Sequence, residues 1–196
     1  MKYFLWKFQP GLLWSMHGRS KGGNASTNSE WNFMELTRRH FRAAGLVLLL
    51  ASPWVMVQVW ILAAAADEPY DSMPSCPVEA ANCAHVGVGE NHRMDGTYDV
   101  TINRTMDELS QALADYIDDV NGDVLVDEID QNGASLTHFV ERTIFWRFPD
   151  DVAVRIVPLD GGQSCSIELH SQSRVGGVDM GVNPDRLEGI YRALTA

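Results

Sequence analysis

Apolar positions fall along this chain in two regimes, an unbroken run and then an alternating pattern. Residues 43–66 carry no ionisable side chain and are interrupted only by Ser52, Pro53 and Gln58. As a helix this run extends roughly 36 Å, enough to cross a hydrocarbon core about 30 Å thick. A helix of that length in water needs a polar stripe, and this run has none. The pattern therefore predicts one transmembrane helix over 43–66. Residues 67–96 are rich in Pro, Ser, Ala and Gly without periodicity and read as a tether.

From residue 97 the pattern sharpens into a folded domain, 97–196. Tyr98, Val100 and Ile102 alternate with Asp99 and Thr101, as on a half-buried strand. Thr105 can cap a helix whose first turn carries Asp107 and Glu108, acids suited to the positive helix end. Its apolar positions Met106, Leu109, Leu113, Ile117 and Val120 recur at three- and four-residue steps, and Asn121-Gly122 stops it. Strands are predicted over 124–129 and 136–148, with turns at Gln131-Asn132-Gly133 and at Pro149-Asp150-Asp151. Val152, Val154 and Ile156 then alternate with Ala153, Arg155 and Val157, and Gly161-Gly162 makes a hairpin. Cys165, Ile167 and Leu169 face inward while Glu168 and His170 face outward. A last helix starts at Asn183 and Pro184, with Leu187, Ile190, Tyr191 and Leu194 as its buried stripe. The order β-α-β-β-β-β-α predicts an α+β fold: a two-layer sandwich of mostly antiparallel sheet with both helices on one face.

Charge gives the helix a direction. Up to Ala66 there are seven Lys and Arg against Glu30 and Glu35, a balance of +5. From Asp67 onward eight Arg stand against 24 Asp and Glu, a balance of −16 with no lysine at all. Basic flanks such as Arg38, Arg39 and Arg42 stay on the cytoplasmic side. The expected location is thus the cell inner membrane, single pass, with the C-terminal domain periplasmic. A domain this acidic is repelled by nucleic acid, which excludes that class of partner. Ala63 to Ala66 also suit a signal peptidase, and Thr37-Arg38-Arg39-His40-Phe41 is similar to part of a twin-arginine export signal. The apolar stretch is longer than an ordinary signal core, so a retained anchor is the reading taken. Residues 1–42 read as a disordered, basic N-terminal segment, and Met34 resembles an ordinary translation start.

The C-terminal third carries a distinctive run. Phe148-Pro149-Asp150-Asp151-Val152, then Ser171-Gln172-Ser173-Arg174-Val175-Gly176-Gly177-Val178-Asp179-Met180-Gly181-Val182-Asn183, with Arg186, resembles domain-of-unknown-function family 1499. Cys76-Pro77 with Asn82-Cys83 looks like that family's opening. The likeness covers Cys76 to Leu194 and implies an exported or membrane-anchored bacterial or plastid protein. It implies no activity.

Chemistry-bearing residues are few. In an oxidising compartment Cys76 and Cys83 suit a disulfide. A zinc set of Cys76, Cys83, His85 and His92, or unpaired thiols, are the alternatives. Cys165 reads as a buried strand residue. The loop Arg174, Gly176, Gly177, Asp179, Gly181, Asn183 delivers the chain onto a helix N-terminus and is the candidate ligand-binding site, for a carboxylate or phosphate. Its structural alternative has Asp179 or Asn183 capping the helix and Arg174 paired with Asp179. Asp119, Asp123 and Asp130 match a calcium loop poorly, because Val124 stands where the turn needs glycine. Glu141 is placed to meet Arg155 across a hairpin.

No constellation names a catalytic residue, a cofactor or a metal. Two functions follow as expectations. One is a non-catalytic binding or assembly module, held at the membrane through Ala43 to Ala66, for an envelope protein partner or a small anion. The other is a small hydrolase or metal-dependent enzyme of the envelope using His138, His170 and Glu168.

Overall fold

The computed structural model describes residues 26–88 and 90–196, with side chains from residue 37 except at Glu90. The first 25 residues of the basic N-terminal segment lie outside the described residues. The helix α1 (Ser26–Ala64) begins upstream of Met34, and its stretch Thr37–Ala64 is long and apolar enough to cross a membrane. Two compact units divide within it, between Leu50 and Ala51.

The second unit is α+β. Beyond α1 it contains β1 (Cys83–Gly87), β2 (Glu90–His92), β3 (Thr101–Ile102), α2 (Met106–Asp119), β4 (Asp123–Ile129), β5 (Ser135–Arg142), β6 (Pro149–Leu159), β7 (Ser164–Ser173) and α3 (Val182–Thr195). The strands form one antiparallel sheet in the order β2-β1-β7-β6-β5-β4, with β3 also pairing β7. The predicted α-β-β-β-β-α core is present. The hairpin β1–β2 is an addition, inside the segment that composition reads as a bare tether.

α2 starts and stops as its sequence requires. Thr105 accepts from the Glu108 N–H while Glu108 accepts from the Thr105 N–H, a reciprocal capping box. At its end Gly122 N–H reaches Ile117 O and Asn121 N–H reaches Asp118 O, with Asn121 left-handed at φ 51°. Leu109, Leu113 and Ile117 of α2 and Leu187, Ile190 and Leu194 of α3 meet Phe139, Val152, Val154, Ile156, Ile167 and Leu169 of the sheet. Free Cys165 is buried in the same core.

One turn expectation and one cross-strand pair shift. Pro149, Asp150 and Asp151 do not turn the chain; they open β6, where a first-position proline costs no ladder bond. The turn lies earlier, over 143–148, closed by Thr143 N–H to Phe148 O and Arg147 N–H to Thr143 O. The register then sets Glu141 opposite Asp150 and Arg155 opposite Leu136 and Glu168, so Glu141 does not meet Arg155. Glu141 instead ion-pairs with Arg186 at 3.0 Å.

Candidate functional site

The sheet has two polar districts, one on each face. Asp150 and Asp151 are neighbours on β6, so their side chains leave on opposite faces. On the helix face Asp150 accepts from buried Arg186 at 2.8 Å. Arg186 also donates to Ser171 Oγ and Asn183 Oδ1 at 3.0 and 2.8 Å. Nearly every polar atom there has a partner, as a buried charge demands.

The other face carries a row of histidines. Strand register sets His92 beside His85, His85 beside His170, His170 beside Ala153 and Ala153 beside His138. All four histidines beyond residue 66 thus lie across five strands. A strap, residues 67–82, runs over this row. Tyr70 stacks on His138 with centroids 4.0 Å apart and planes 4° from parallel. The Tyr70 backbone N–H donates to His138 Nδ1, so the ring proton sits on Nε2, which donates to Asp151 at 2.7 Å. Both imidazole nitrogens are therefore committed to structure. Burial, then the Asp151 carboxylate, pushes the Tyr70 phenol well above its ordinary range.

Farther along the strap Cys76 forms the disulfide with Cys83 of β1, Cα atoms 5.8 Å apart. Its sulfurs lie against His170, Cys83 Sγ at 3.6 Å from Nε2 and Cys76 Sγ at 4.0 Å from Nδ1. The zinc set of Cys76, Cys83, His85 and His92 gives way to this pairing, and the neighbouring imidazole is His170, which that set did not include. Burial, then the neighbouring His85, lowers the His170 pKa to about 4. Glu168 approaches His85 at 3.4 Å and Arg155 at 4.0 Å. The three groups named for an enzyme thus do not meet in an open cleft: His138 and His170 are fully buried and Glu168 sits two residues along β7.

Arg174 follows β7 and holds the start of the strap. Its Nε and Nη2 donate to Asp151, and Nη1 donates to Asp67 and to the Ala65 and Ala66 carbonyls. Burial alone would lower its pKa, but the two carboxylates outweigh it and hold the guanidinium charged. Burial would raise the Asp151 pKa; His138 and Arg174 overcome it and lower it.

Asp179 does not pair with Arg174. Its carboxylate takes both arms of Arg93, at 2.9 and 2.6 Å, and accepts the Gly181 and Asn183 N–H groups at the start of α3. Burial works to raise its pKa, but Arg93 and those N–H groups pull it down to about 2. Asn183 is buried and donates to Asn82 O and Ser173 Oγ. Asn82 in turn donates to Gly176 O at 2.9 Å. Gly176 and Gly181 take φ values of 89° and 91°, which only glycine adopts freely. Gly177 faces open space. The three polar side chains of the loop thus fall into two groups: Arg174 with the strap, and Asp179 and Asn183 around the α3 N-terminus. What the loop turns outward is apolar: Met180 is 95% exposed and Val178 66%. Met180 is also left-handed, φ 54°, strained backbone for a methionine.

The calcium expectation dissolves into separate elements. Asp119 ends α2, Asp123 pairs with Arg142 on adjacent strands, and Asp130 accepts the Asn132 and Ala134 N–H groups in the β4–β5 turn. An open cavity of about 460 Å³ lies between the strap and β4–β7, with Asp71, Glu128, Asp130 and Glu168 against Arg155 alone. Sequence reasoning missed Tyr70, Arg93 and Asp151. A visible signal existed for the last: two adjacent acids on a strand, followed by Arg174 and Arg186.

The chain matches no curated protein and no solved structure. A family described as "Protein of unknown function (DUF1499)" matches residues 71–194, from within the strap through the sheet to the last turn of α3. The chain belongs to the DUF1499 family.

Proposed function

We propose that this protein is a single-pass, membrane-anchored module that engages a partner protein through the outward tips of its glycine loop, on the periplasmic side of the inner membrane. The anchor is the apolar stretch of α1, and the orientation follows from the +5 and −16 charge balances on its two sides. The observation that carries the binding reading is Met180, held exposed and left-handed on a loop pinned by Asp179–Arg93 and Asn183–Asn82. A pinned apolar tip loses little entropy on docking, which favours protein contact. Partner protein is preferred over small anion because the donors an anion needs are already taken: the α3 N-terminal N–H groups by Asp179, and Arg174 by Asp151 and Asp67. The open cavity, with four carboxylates, repels anions as well.

The test is site-specific photocrosslinking in native membranes. A photoreactive residue replacing Met180 or Val178 should yield one discrete heavier species, absent when the same group replaces Ala114, exposed on α2. Crosslinking from Ala114 but from neither loop position would overturn the reading.

A further inference from the structure

The β5–β6 turn presents an apolar tip that the partner-binding reading does not use. Ile144 is 99% exposed, and Phe145 and Trp146 beside it are exposed too. Single exposed apolar residues need no explanation, but three large ones in succession on one turn do. The tip touches α1. Trp54 Nε1 donates to Phe145 O at 3.0 Å and Gln58 Nε2 donates to Trp146 O at 2.8 Å. These two donors sit one turn apart, about 15 and 9 Å along the axis from the helix end at Ala64. In a helix that spans over 43–66 that depth lies among the acyl chains, with Trp54 near the middle of the run and Gln58 nearer its outer boundary. Arg142 and Arg147 flank the tip, and with Gln58 and Leu62 they line a cavity of about 290 Å³ beside the helix end. Apolar side chains with arginines just outside them, and a tryptophan between, are the composition of an interfacial anchor.

We propose that the turn Ile144–Trp146 is a second membrane contact, entering the same leaflet as the C-terminal end of α1, with Arg147 turned to phospholipid phosphates. The occupant is lipid because the tip's own hydrogen bonds tie it to the lipid-exposed flank of α1, where Trp54, Val55 and Leu62 are exposed alongside. The domain then rests on the bilayer at two points instead of swinging from one tether. This rests on the reading of α1 as a membrane span.

The experiment uses the full chain in phosphatidylcholine–phosphatidylglycerol vesicles, with a nitroxide on Ile144→Cys, Leu48→Cys or Ala114→Cys. Cys165 is buried and stays unlabelled, which mass spectrometry verifies. Collisions with oxygen report lipid, and collisions with a nickel chelate report water. The label at 144 should favour oxygen as the label at 48 does, with the label at 114 favouring the chelate. Oxygen preference at 48 with chelate preference at 144 overturns the second contact while leaving the span intact. Chelate preference at both overturns the span and the contact together.

Discussion

Arg174 grips Asp151 with two arms of its guanidinium, Nε at 2.8 Å and Nη2 at 2.7 Å, and reaches Asp67 with the third nitrogen at 2.5 Å. One side chain thereby joins the end of β7 to β6 and to the start of the strap. Asp151 passes the connection on through His138 to the backbone of Tyr70. The arginine that looks like a ligand hook in the sequence is the knot that holds the strap down.

Arg174→Ala should therefore cost more than about 2 kcal/mol, because it strands the Asp151 carboxylate in a largely buried site. Arg192→Ala, at an exposed i,i+4 pair on α3, should stay within about 0.5 kcal/mol. Urea unfolding of both variants measures the difference. An Arg174→Ala chain as stable as the parent would mean the strap is held by something else.

Reducing the Cys76–Cys83 bridge reopens a short loop, and the loop-entropy estimate of the loss is about 2.5 kcal/mol. Urea midpoints with and without dithiothreitol read it directly. Cys83→Ser and Cys76→Ser should each unfold at the reduced midpoint and no longer respond to reductant. A midpoint indifferent to reductant in the parent contradicts the pairing.

His170 makes stability depend on pH. Its folded pKa is about 4 against an ordinary 6.5, so between those values the unfolded chain takes up a proton that the folded chain refuses. Its contribution is complete above about pH 6.5, falls with a slope of up to about 1.4 kcal/mol per pH unit as pH drops, and levels below about 4. His170→Gln should flatten that window in urea titrations. A variant profile parallel to the parent's would show that the slope originates elsewhere.

Asp179 acts in a lower window with the carboxylate sign. Its pKa near 2 lies below the ordinary 3.8, so its stabilisation is present above about pH 4 and is lost as pH falls toward 2. Arg93→Gln should remove much of it, costing about 1–3 kcal/mol at pH 7 and shallowing the acid limb. Circular dichroism between pH 2 and 5 compares the two chains.

The parts of the fold written in local pattern are legible in the sequence alone. The Thr105 box, the three- and four-residue steps of α2 and the alternation of Val152 through Val157 each encode their element within a dozen residues. The hairpin β1–β2 was not legible. Cys83–Gly87 is buried throughout and shows no alternation, because it gains its partners from β7, nearly ninety residues on, and from Cys76. The β5–β6 turn was hidden for the opposite reason: Ile144, Phe145 and Trp146 continue an apolar strand pattern yet point outward. The histidine row is completed only by the pairing of β1 with β7, strands far apart in sequence, so neither spacing nor composition could reveal it.

The proposed membrane sidedness underlies the compartment argument for the disulfide and the periplasmic partner alike. A paired reporter fused after Ala196, alkaline phosphatase in one chain and green fluorescent protein in another, tests it in living cells. The account predicts active phosphatase and dark fluorescent protein when export follows the general secretory route. Bright fluorescent protein in the cytosol with inactive phosphatase would contradict it.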